Sequence, residues 1–233
     1  MGAIDHAPRT GFLAEITDEL RTTLFGRAGA IGGILPPIAF LTLRPIVGIA
    51  WAAAGSLLVA AVTIAWRLGR GNTIRFAVAG AAGALIAAGF ALRQDTAQAY
   101  FLPGIIQGAA TTVALLVSIL VRRPLVAFTS WITRGWPADW YRHPRVQPAY
   151  VLTTWLWVGF FALRTLWQWQ LYLVGDEGGL LLTRIFGGWP ATIALLVATY
   201  VLGRWRLARL EGPSVDEYLT NAPRPWAGQR RGF

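Results

Sequence analysis

Cysteine and lysine are both absent from this 233-residue chain, and histidine occurs only as His6 and His143. No cysteine means no disulfide framework and no thiolate nucleophile, and two distant histidines remove nearly every transition-metal site. Charge is scarce: 14% of residues are charged, against about 25% in an ordinary soluble domain. Mean hydropathy is +0.49, and 55% of residues are hydrophobic. A soluble enzyme, a disordered chain and a disulfide-stapled secreted domain are thereby excluded. An all-α polytopic membrane protein remains.

Acidic residues are missing where membrane chemistry most often needs them. No Asp or Glu lies inside a long apolar run, so the carboxylate that usually carries a proton through a coupled transporter is lacking. The clustered acids of a metal-dependent lipid hydrolase or prenyl transferase are lacking too, as are Gly-x-Ser-x-Gly and P-loop patterns. No cofactor and no metal are expected. An enzyme here acts through Arg, Tyr, Gln and Thr alone, which weighs against catalysis without closing the question.

What is present is a series of apolar runs. A bilayer core about 30 Å thick takes about 20 helical residues. Six runs meet this, at about 28–43, 46–66, 76–92, 103–121, 150–174 and 185–203, giving a bundle of six transmembrane helices within a domain of residues 26–208. The first is short and interrupted by Pro36-Pro37, which leaves open whether it fully spans.

All 21 basic residues are Arg, and the net charge is +10. The charge lies in short gaps between apolar runs, which orients a protein in a bilayer and does not form a nucleic-acid surface. Placing both termini in the cytoplasm leaves Arg44, Arg93 and Arg184 outside and Arg164 inside a span. The other seventeen of the 21 are then cytoplasmic, a strong positive-inside signal. A multi-pass membrane protein with both termini cytoplasmic follows.

Three flanking segments complete the organisation. Residues 1–25 carry Phe12, Leu13, Ile16, Leu20 and Leu24 at helical spacing, an amphipathic helix for the cytoplasmic surface. Residues 124–141 mix Arg with Trp131, Trp136, Trp140 and Tyr141, the composition of an interfacial helix and loop. Residues 209–233 form a cytoplasmic tail in which Ser214-x-x-Glu217 has the form of a capping box. The rest of it, rich in Pro, Gly and Arg, reads as loose. Small residues at four-residue spacing, such as Gly80, Ala84 and Ala88 or Gly104 and Gly108, allow close helix packing within the bundle or a self-association seam.

Arg164 is the most informative residue. It sits ten positions before Val174, close to mid-membrane, where Arg costs about 2.5–3.5 kcal/mol. Gln168 shares its face, and Gln107 and Thr111 lie at comparable depth in the fourth run. These four form a candidate ligand site for an anionic solute or lipid headgroup. Arg44, Arg93 and Asp95, with Gln98, Asp176, Glu177 and Arg184 nearby, form a candidate outer mouth. The plainer alternatives are an Arg that only organises the bundle, and loop charges that are simply solvated. His143 reads as interfacial.

Leu43-Arg-Pro45, Phe101-Leu-Pro-Gly104, Leu120-Val-Arg-Arg-Pro-Leu125, Thr154-Trp-Leu-Trp157, Ala162-Leu-Arg164 and Gly188-Trp-Pro190 occur in a recognisable order. Over about residues 24–208 they resemble an uncharacterised family of integral membrane proteins from high-GC bacteria, distantly similar to the intracellular septation protein A group. The resemblance implies a six-span plasma-membrane protein of undefined activity, with envelope maintenance suggested by the distant group. The expected function is a non-enzymatic envelope protein that binds membrane lipids or membrane protein partners. A transporter or channel with Arg164 in its pathway is the alternative, and an intramembrane enzyme on a lipid-like substrate the third.

Overall fold

The computed structural model describes residues 31–69, 74–229 and 232–233. The amphipathic helix expected over residues 1–25 lies outside them. All regular structure among the described residues is helical. The chain divides into two units, Met1–Leu92 and Arg93–Phe233.

In the first unit, α1 (Ile31–Gly69) is interrupted at Gly48, whose φ of 78° and ψ of 174° belong to a region that is essentially glycine's alone. The Leu43 side chain occupies the space where Gly55 would carry a Cβ. Twelve residues of continuous helix separate two positions by about 18 Å, beyond the reach of a leucine. The chain therefore folds back at Gly48. Within the described residues, from Ile31 on, the runs expected at 28–43 and 46–66 form one interrupted element, and its turn comes after Pro45. Helix α2 (Ile74–Gln94) contains the run expected at 76–92, with Ala84, Ala87, Ala88 and Ala91 buried along one face.

The second unit contains α3 (Leu102–Leu120), α4 (Leu125–Arg134), α5 (Gln147–Val174), α6 (Glu177–Phe186), α7 (Trp189–Leu210) and the short α8 (Val215–Leu219). Helix α5 is its axis, packed by α3, α4, α6 and α7. On α3, Gly108 faces α5, where the Thr165 hydroxyl fills the space of a Cβ, so this small residue serves packing within the bundle. Among the described residues, four helical stretches are long and apolar enough to cross a membrane: Leu35–Trp66, Gln98–Leu120, Gln147–Val174 and Trp189–Leu210.

The arginine-rich end of this unit has its own core. Trp140 is fully buried and its indole N–H donates to the Pro213 carbonyl at 2.9 Å. Trp136, Tyr141, Tyr150, Leu207 and Phe233 pack around it, with the Tyr150 and Phe233 rings stacked 4.4 Å apart. Trp140 and Tyr141, expected at the headgroup layer, are thus interior. The tail is fastened where a loose one was expected. Ser214 and Glu217 form a complete capping box on α8. The Glu217 carboxylate also accepts the Ala227 N–H at 2.6 Å and the Gly228 N–H at 3.3 Å. A single carboxylate that both caps a helix and gathers backbone donors ten residues on explains the difference.

Candidate functional site

Helix α5 has 28 residues, about 42 Å at 1.5 Å per residue, so it exceeds the bilayer core. It stops at Gly175, which has a φ of 72°, and the next residue, Asp176, caps α6 by accepting the Gly179 N–H at 2.8 Å. Helix α6 then returns along the end of α5. A Cβ at Gly179 would lie 2.9 Å from Leu171, and one at Gly187 would lie 3.5 Å from the Arg164 Nε. Helix α7 continues antiparallel to the rest of α5: the Trp157 indole N–H donates to the Thr199 hydroxyl at 2.9 Å, and Arg145 donates to the Glu211 carbonyl at 3.4 Å. Helices α6 and α7 thus run end to end along α5, and the break between them lies opposite Arg164.

Glycine makes the break possible. A Cβ at Gly188 would stand 2.5 Å from the Arg184 carbonyl oxygen, and one at Gly187 would press on both the Thr183 carbonyl and the Arg164 side chain. Pro190 in the first turn of α7 lacks a backbone donor, so the two helices do not merge.

The break gathers positive charge. The Arg164 Nε is buried without a hydrogen-bond partner. Arg184, in the last turn of α6, is close enough for the two guanidinium charges to act on one another, and the Tyr100 phenol lies within electrostatic range of Arg184. Among the described residues, neither guanidinium has an ion pair or a hydrogen bond. Two planar forks, each with five donors, suit an oxyanion such as phosphate or carboxylate. The C-terminal carbonyls of α6 offset part of the cost of the Arg164 charge.

The other expected site residues are placed as follows. Gln168 is buried on α5 one turn beyond Arg164. On α3, Gln107 is exposed, and its backbone carbonyl accepts the Thr111 hydroxyl at 2.8 Å. No hydrogen bond joins Arg164 to Gln168, Gln107 or Thr111 among the described residues. Arg93 and Asp95 are exposed at the start of the second unit, and Arg44 is half-buried within the first. Arg184, expected at an outer mouth, lies within electrostatic range of Arg164. Its nearness follows from α6 folding back, which twenty residues of sequence separation conceal.

His143 lies at the opposite end. Its Nδ1 accepts the Arg145 N–H at 3.2 Å and its ring meets Trp226 edge-on at 5.4 Å. Burial, then the charges of Arg224 and Arg145, hold its imidazole below the ordinary value. Among the described residues no group of three His, Cys, Asp or Glu side chains is arranged for a metal ion.

A family model described as Protein of unknown function (DUF3159) matches residues 24–209. No curated protein matches the chain, and no solved structure matches it.

Proposed function

The chain belongs to the DUF3159 family, and on that premise we propose a non-enzymatic membrane protein that holds an anionic lipid or partner group between Arg164 and Arg184. The observation that carries this reading is the buried, unpartnered Arg164 Nε at a glycine-built helix break, with the Arg184 guanidinium within electrostatic range. A buried charge with no protein partner is costly, and an anion offsets that cost. Six spans in the bacterial plasma membrane, with both termini cytoplasmic, belong to the same reading. The fold-back at Gly48 gives α1 two arms, α2 adds 21 residues, and the arginine distribution supports the orientation. Envelope maintenance rests on the resemblance to the septation protein A group.

The test is native mass spectrometry of the full chain after gentle extraction. The wild type should retain an anionic species that Arg164→Leu loses while still inserting, because Leu is cheaper in lipid. Arg164→Lys should retain less than the wild type, since an ammonium lacks the planar fork. Arg164→Leu with an undiminished load overturns the reading. The transporter reading has one observation in its favour, the interrupted helix at the charged site, a device transporters use to bind ions. Carboxylate or phosphate-ester uptake into proteoliposomes no faster than into empty vesicles rejects it.

A further inference from the structure

The second unit has another cationic feature, at the end where α3 passes into α4. There a cavity of about 270 Å³ is lined by Arg122, Arg123 and Arg142 together with Phe128, Trp131 and Tyr141. Its volume lies just below the roughly 300–1,000 Å³ of ordinary small-molecule pockets, which suits a headgroup better than a whole lipid. Arg142 is tied to Asp139 at 3.2 Å in an exposed pair. The Arg122 and Arg123 side chains have no ion pair or hydrogen bond among the described residues. Three guanidinium groups against one carboxylate leave the cavity short of negative charge.

The backbone supplies a second observation. Helix α3 closes in a Schellman turn, with the Arg123 N–H on the Ser118 carbonyl at 2.9 Å and the Arg122 N–H on the Ile119 carbonyl at 3.0 Å. Arg122 occupies the left-handed position of that turn with a φ of 57°, where glycine is the usual residue. Its carbonyl accepts the Gln147 side-chain N–H at 2.7 Å, which fixes the turn. An arginine is thus held in a conformation that disfavours side chains, at the rim of a cationic cavity. Leu120 and Val121, which precede Arg122 in the chain, and Ile132, which follows the lining Trp131, present 79%, 59% and 61% of their surface to the surroundings.

We propose that this cavity binds the headgroup of an anionic phospholipid, with its phosphate on Arg122, Arg123 and Arg142 and its acyl chains along Leu120, Val121 and Ile132. The apolar skirt selects a lipid over a free anion, because a free anion gains nothing from it. Basic pockets of this kind between helix ends are where anionic headgroups bind. The site is separate from Arg164, and its test does not depend on that reading.

The full chain, carrying Arg164→Leu so that the other site does not contribute, is placed in phosphatidylcholine nanodiscs doped with phosphatidylglycerol. Retained phosphatidylglycerol is counted by native mass spectrometry. Arg122→Gly relieves the left-handed strain and keeps the carbonyl that Gln147 uses, so thermal stability in pure phosphatidylcholine should hold or rise. Phosphatidylglycerol retention should nonetheless fall about fivefold, the value of one surface arginine. Arg123→Gln, which leaves the turn's left-handed residue in place, should show a similar loss and serves if Arg122→Gly misfolds. Unchanged retention in both variants overturns the proposal. So does equal thermal protection by inorganic phosphate in pure phosphatidylcholine, which makes the occupant a free anion.

Discussion

A guanidinium inside a helical bundle must find compensation nearby, and at Arg164 the two glycines of the α6–α7 break provide the room for it. Gly188→Ala places a methyl 2.5 Å from the Arg184 carbonyl oxygen. A loss of about 1–3 kcal/mol is expected, measured as a lower unfolding midpoint in detergent, together with loss of the anionic load. A second residue-scale case concerns pH. Three backbone N–H groups, led by those of Ser214 and Ala227, hold the Glu217 carboxyl at about 2, below its ordinary 4.5. A depressed acid favours the docked form above the ordinary value. Tail docking should therefore weaken as pH falls from about 4.5 towards about 2. Glu217→Gln should mimic that weakening at neutral pH, read as faster amide exchange at Ala227 and Gly228. Unchanged protection would mean that Trp226 and Phe233 hold the tail by packing alone.

At the scale of elements, Gly48 decides whether α1 is one helix or two arms. Gly48→Ala forces a side chain into a backbone region close to glycine-only, costing about 1–3 kcal/mol. The expected outcome is protease cleavage within residues 44–50 of a chain whose α5 and α7 remain protected. This element also shows what sequence can and cannot reveal. The long apolar runs are legible because lipid demands length and hydropathy, and α3 and α5 lie close to where those demands put them, while α7 starts four residues later and ends seven later than the run expected at 185–203. The α6–α7 break is only half legible. Gly187-Gly188-Trp-Pro190 is a recognisable helix interruption, but the ten residues of α6 are too few to register as a span. Arg164 stands out as a lone charge in an apolar run. Its neighbour Arg184 does not, because their meeting depends on α6 folding back along α5. The buried aromatic core escaped for a related reason: Trp and Tyr beside Arg have the same composition at a headgroup layer as beneath a docked tail.

At the scale of the molecule, the distribution of arginine and the number of crossings constrain each other. If α1 crosses once and α2 does not cross, the four stretches that are long and apolar enough put Arg67, Arg70 and Arg75 on the same face as Arg93. That face would then carry most of an uncompensated arginine cluster on the outside, against the positive-inside tendency. If α1 folds into two crossings at Gly48 and α2 makes another, the three arginines return to the cytoplasmic face and only Arg44, Arg93 and Arg184 remain outside. Both arrangements keep the two termini on one side, so tagging the termini does not distinguish them. A reporter fused after Arg70 does. We expect it to read cytoplasmic, together with one after Trp136, while a fusion after Asp95 reads external. An external signal after Arg70 with the other two unchanged reduces the bundle to four crossings and overturns the fold-back of α1 at Gly48. An external signal after Trp136 inverts the orientation altogether.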